Sequence, residues 1–143
     1  MGNEATLTER YAVAAGDFNA AGDASAAIKE VLKRLGIDTQ IVRRIAIASY
    51  EAELNIIIHS YGGQMTLSVS RDRIALVASD IGPGIADVQQ AMTEGFSTAP
   101  DSVRELGFGA GMGLPNMLRN AGEFDLQTGE TGTMVTMLFP LRR

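Results

Sequence analysis

The chain has 143 residues, a formal net charge of −5, one histidine and no cysteine. That length suits one domain with its own core, while disulfides, thiolate metal sites, cysteine nucleophiles and multi-histidine metal sites are excluded. Scattered lysines and arginines form no basic patch for nucleic acid or a membrane surface, and no apolar run approaches the ~20 residues of a membrane span, so a soluble cytoplasmic protein is expected.

Residues 1–8 read as a frayed start and 11–14 as a weak first strand. Asp23 or Ser25 is expected to cap a helix with an apolar stripe of Ala27, Ile28, Val31, Leu32 and Leu35, ending at Gly36. The next stretch, IVRRIAIASYEAELNIIIHSY over residues 41–61, reads as one long helix between an N-cap at Asp38 or Thr39 and a stop at Gly62 and Gly63. Apolar residues cover most of its circumference, Ile45, Ala52 and Ile56 on one side and Ile47 and Leu54 on another, which argues burial. Residues 65–69 and 74–79 then alternate apolar and polar around a turn at 71–73, an antiparallel hairpin with one buried face.

Residues 82–113 are irregular and hold nearly half of the chain's 16 glycines, with one short helical pattern over 86–92. A helix over 115–121 follows, with Pro115 in its first turn and Gly122 at its exit. A second hairpin joins 124–128 to 133–139. This order predicts an α+β fold, a two-layer α/β sandwich in which helices cover one face of a mixed, mostly antiparallel sheet. No linker divides the chain, so residues 1–143 are expected to form one domain.

Three polar or glycine-rich clusters carry the chemistry. Glu51, Asn55 and His59 recur at i, i+4 and i+8, a polar stripe along the long helix. Asp80 ends a strand and is followed by Gly82 and Gly84, which places a fixed hydrogen-bond acceptor beside backbone that a ligand can approach closely. Gly107, Gly109, Gly111 and Gly113 lead into a helix start, where exposed N–H groups and the helix dipole suit a polyphosphate. Singly, each has a plain structural reading: a stripe satisfied by the core, a tight turn, a glycine-rich connection.

Together they resemble the GHKL ATPase superfamily, which includes gyrase B, heat-shock chaperone ATPases, mismatch-repair ATPases and histidine-kinase catalytic domains. Glu51-x-x-x-Asn55 is similar to its N box, Asp80-x-Gly82-x-Gly84 to its G1 box, Gly109-x-Gly111-x-Gly113 to its G2 box, and Thr131-Gly132-Thr133 to its closing Gly-Thr element. The run from Asn55 through His59 to Tyr61, the Phe96-Ser97-Thr98 triplet and Gly113-Leu114-Pro115 further resemble stand-alone anti-sigma factors and switch-type serine kinases of the RsbW and RsbT type.

The resemblance implies the Bergerat ATP-binding fold and an ATP- and Mg2+-dependent serine/threonine protein kinase. By it, Glu51 is the general base, Asn55 holds Mg2+, Asp80 binds the adenine amine, Gly82, Gly84 and Ile85 frame the base, and Thr133 reaches the adenine end. Gly109, Gly111 and Gly113 wrap the phosphates in a lid over 94–113, Met112 and Leu114 also belong to the ATP-binding set, and Arg104 is a candidate lid cation. The implied partner is an anti-sigma-factor antagonist of the STAS type, with a sigma factor or a phosphatase as other partners, and a homodimer is compatible with the class. The alternatives are a nucleotide-dependent binding module and a histidine-kinase-like ATPase domain. His59, one further turn from the Glu51 and Asn55 pair, is expected to have a structural role at the edge of the site.

Overall fold

Alternation of apolar and polar residues along the strands decides which face of the sheet is buried. In a computed structural model, which describes residues 6–85, 87–92 and 113–141, the strands are β1 (Leu7–Val13), β2 (Gly63–Val69), β3 (Arg73–Asp80), β4 (Glu123–Gly129) and β5 (Gly132–Pro140). They form one sheet in the order β1-β2-β3-β5-β4. Among the described residues every neighbouring pair is antiparallel, so the mixed sheet is in fact wholly antiparallel. Both predicted hairpins form. The first strand is longer than its weak alternation suggested: Leu7 and Thr8, expected to be frayed, pair with Val69 and Ser68 of β2.

Met65, Leu67, Ile74, Leu76, Val135 and Met137 point from one face of this sheet into the core. The helices are α1 (Asp23–Arg34), α2 (Thr39–His59), α3 (Val88–Ala91) and α4 (Gly113–Asn120), of which α1, α2 and α4 bury residues in the core. The long helix stands where its periodicity put it, with Val42, Ile45, Ala48, Ala52 and Ile56 buried. It ends two residues early because the Ser60 hydroxyl donates back to the carbonyl of Ile56 (2.6 Å) and accepts from the amide of Gly62 (3.0 Å). α4 starts at Gly113, two residues before the expected point. Two residues assigned to buried stripes are exposed. Leu35 (48 %) caps the C-terminus of α1, and Ile47 (39 %) faces away from the side of α2 that carries Ile45.

The start of α1 departs from the expected cap. Gly22 occupies the N-cap with a left-handed backbone (φ 99°), and neither Asp23 nor Ser25 supplies a side-chain cap. Instead Glu53, on α2 and 2 % exposed, reaches across. Its carboxylate accepts from the amides of Gly22, Ala24 and Ser25, each at 3.1 Å. Three otherwise unpaired donors and the positive end of the α1 dipole therefore stabilise one buried charge. Glu53→Ala is expected to lower the unfolding free energy by about 3 kcal/mol, measured by urea titration, because the amides lose their acceptor while remaining buried.

Candidate functional site

Glu51, Asn55 and His59 do share one side of α2, but that side is not the buried one. Glu51 and Asn55 are half-buried and His59 is exposed. The stripe therefore needs no satisfaction from the core, and Glu51 and Asn55 stand against α4. There Asn116 Nδ2 donates to Glu51 Oε2 at 2.8 Å, while a Cβ placed on Gly113 would lie 3.2 Å from Asn55 Oδ1. The first turn of α4, whose amides lack intrahelical partners, thus stands against both residues. Asn116 is itself oriented, since its Oδ1 accepts from Arg119 Nη1 at 3.4 Å, leaving Nδ2 for the carboxylate.

The second cluster lies where β3 ends and β5 begins. The Thr133 amide donates to Asp80 Oδ1 (3.1 Å). The Thr133 and Thr128 hydroxyls are 2.8 Å apart, and Thr128 Oγ1 accepts from the Ile85 amide (2.8 Å). Gly82 is buried, and its amide donates to the carbonyl of Thr131 at 3.0 Å. The turn after Asp80 is thereby fastened to the β4-β5 turn. The approach is close enough to require glycine: at Gly84 (φ 77°) a Cβ would collide with the carbonyl oxygen of Gly129, and at Gly132 with that of Asp80.

Burial raises the Asp80 carboxyl above its ordinary 3.8, opposed by the Thr133 amide and by His59. Burial lowers His59 below 6.5 although the residue as a whole is exposed, and Asp80 pulls it back up. His59 is thus electrostatically coupled to Asp80.

Of the expected site residues, Glu51, Asn55 and Gly113 meet at one end, and Asp80, Gly82, Gly84, Ile85 and Thr133 at the other. Leu114 is 4 % exposed and packs into the core. Gly109, Gly111, Met112 and Arg104 lie outside the described residues. Sequence reasoning missed Asn116 and Thr128. For Thr128 a signal existed, because the hairpin places it directly opposite Thr133; for Asn116 none did. A separate groove, lined by Gly36, Ile37, Arg44, Asn120 and Leu141 among others, touches none of these residues.

A five-stranded antiparallel sheet covered on one face by helices, with a carboxylate and an amide one turn apart and an acid at the end of the middle strand, defines a GHKL-type nucleotide-binding fold. The chain belongs to the histidine kinase-like ATPase domain family, whose model matches residues 15–139. It is 35 % identical over 104 residues to the serine/threonine-protein kinase RsbT of Bacillus subtilis (strain 168), covering 70 % of this chain and 72 % of that protein. It is 29 % identical over 121 residues to the anti-sigma F factor of Clostridium novyi (strain NT), covering 80 % and 81 %. Its fold is similar to that in the crystal structure of the RsbU and RsbW domains of Rv1364c from Mycobacterium tuberculosis, with a TM-score of 0.66 and 19 % identity. That match covers 96 % of this chain and 33 % of the other. These relatives support the expected class, a kinase of the anti-sigma or switch type. Among the described residues no helix is long and apolar enough to cross a membrane.

Proposed function

We propose that this protein transfers the γ-phosphate of ATP to a serine or threonine hydroxyl of a STAS-type anti-sigma-factor antagonist. The observation that carries the reading is that the first turn of α4 meets both Glu51, through Asn116, and Asn55, beside Gly113, while the sheet holds the Asp80 and Thr133 pair. Asp80 accepts from the exocyclic amine of adenine, and the turn carrying Gly82, Gly84 and Ile85 lies along the base. Glu51 takes the proton as the hydroxyl oxygen bonds to the γ-phosphorus and the bond to the β-phosphate oxygen breaks, releasing ADP.

Asn55 suits Mg2+. Its amide oxygen is a hard donor that lies against Gly113, where a Cβ would come within 3.2 Å of it. An ion that keeps several waters and leans on phosphates needs one such protein oxygen. Bound there, Mg2+ would neutralise phosphate charge.

Asn116 is a positioning residue in this scheme, aiming Glu51 from α4. Asn116→Ala is expected to lower kcat about tenfold while leaving KM for ATP within about twofold, with Asn116→Ser partly restoring kcat; steady-state kinetics measures both. The function itself is tested by incubating the protein with radiolabelled ATP and purified STAS-domain antagonists, then mapping the labelled residue. Label on serine or threonine is expected, and absence of transfer to every antagonist would overturn the kinase assignment.

The similarity to an anti-sigma F factor favours a second reading, a module that holds ATP and sequesters a sigma factor. Co-purification of a sigma factor that depends on nucleotide and persists in Glu51→Ala would establish that role independently of phosphotransfer.

A further inference from the structure

Thr128 and Thr133 stand opposite each other across the β4-β5 hairpin, and their hydroxyls have a fixed set of partners. Thr128 Oγ1 accepts from the Ile85 amide at 2.8 Å and lies 2.8 Å from Thr133 Oγ1. Among the described residues neither hydroxyl has another partner. Were Thr133 the donor, Thr128 Oγ1 would accept twice, and its own proton, on a half-buried side chain, would have no acceptor. With Thr128 as donor every bond coexists. Thr128 then accepts from Ile85 and donates to Thr133, and the Thr133 proton is left for a ligand. The glycine turn keeps Thr128 in place, since a Cβ on Gly84 would come within 2.9 Å of its Oγ1. Beside this pair, Asp80 takes the Thr133 amide on Oδ1 at 3.1 Å. Its carboxylate has further acceptor capacity, so an acceptor and a donor stand side by side.

We propose that Thr128 is a positioning residue that determines base specificity: it holds the Thr133 hydroxyl as a donor, and so sets which base edge the Asp80 end of the site accepts. The matching edge has an amine donor next to a ring-nitrogen acceptor, the order that adenine carries. Hypoxanthine and guanine carry the reverse, a carbonyl acceptor next to a ring N–H donor. Asp80 by itself rejects the carbonyl. Thr128 adds a second check at the ring nitrogen, because a Thr133 oxygen that already accepts from Thr128 turns its proton toward the base. One bridging water would pass the same polarity on. Without Thr128, the Thr133 hydroxyl can rotate and accept from a ring N–H. The inference rests on reading this end of the site as the adenine pocket, and adds the residue that fixes its polarity.

Calorimetry of Mg-ATP and Mg-ITP binding tests it, since the two bases differ only along this edge. The parent protein should prefer ATP by about 100-fold or more, because two polar groups are mismatched against hypoxanthine. Thr128→Val, which keeps the shape and loses the hydroxyl, should narrow that preference about tenfold. Thr128→Ala, which cannot crowd the turn, should narrow it equally, and Thr128→Ser should keep the parent ratio. Loosening of the Ile85 turn would weaken both nucleotides by the same factor, so the ratio separates hydroxyl polarity from a merely structural role. An unchanged ratio in the valine and alanine variants, with ATP still bound, would overturn the inference and leave the adenine pocket standing. A serine variant with the ratio of the valine variant would also overturn it. A parent protein that binds neither nucleotide would overturn the adenine reading and this inference with it.

Discussion

Glu51→Gln is expected to yield a protein that still binds ATP but transfers phosphate about 10²- to 10⁴-fold more slowly. Glutamine keeps the size of the side chain and its place on α2, and its amide oxygen can still accept from Asn116 Nδ2. What it loses, under the proposed function, is the capacity to take a proton from the attacking hydroxyl. The loss should therefore fall on kcat, with nucleotide affinity by calorimetry and the thermal midpoint close to those of the parent protein. Glu53→Gln is the informative contrast. That carboxylate lies two residues along the same helix but points inward to the start of α1, so its removal should destabilise the fold without touching the chemistry. A Glu51→Gln protein with undiminished kcat would remove Glu51 from the mechanism.

Asp80→Asn is expected to weaken adenine-nucleotide binding by about 10- to 100-fold, the scale of one hydrogen bond to a charged acceptor. The Thr133 amide can still find an oxygen on the new side chain, so the hairpin contact survives while the charged acceptor for the exocyclic amine is gone. Guanine nucleotides, which carry a carbonyl at the corresponding ring position, should gain relative to adenine ones. The pH response follows from the raised carboxyl of Asp80. Under the proposed function binding requires the carboxylate, so affinity should fall on acidification at a pH above the ordinary 3.8 midpoint, and Asp80→Asn should abolish that step. Stability moves the other way at this residue. Its folded value lies above its unfolded one, so its ionisation costs stability above the folded value, and that cost is relieved as the pH falls through it. His59 has the opposite sign. Its folded value lies below 6.5, so its contribution is full above 6.5 and is lost as the pH falls through that value toward the folded one. Calorimetry of Mg-ATP binding against pH, beside thermal unfolding of the free protein, separates the two effects.

What could be read from the chain alone was whatever has short range. Periods of 3.6 and 2 residues located α2 and both hairpins, because they record which side of each element meets the core. The four-residue interval between Glu51 and Asn55, and the position of Asp80 just past an alternating strand, were legible for the same reason. Local pattern could not say which side of α2 is covered. Its apolar residues run nearly all round, and only the sheet, α1 and α4 decide that the Glu51 side stays open while Glu53 is sealed in. Nor could it supply contacts between distant residues. The carboxylate that caps α1 comes from 28 to 31 positions away, the amide that holds Glu51 from 65, and the amide that aims Asp80 from 53. Sequence by itself thus determined the class of fold and the residue types of the candidate nucleotide site. Tertiary packing alone decided which of two glutamates on one helix serves the fold and which meets α4 at the candidate site, because burial and hydrogen-bond partners belong to the assembled layers and not to either element.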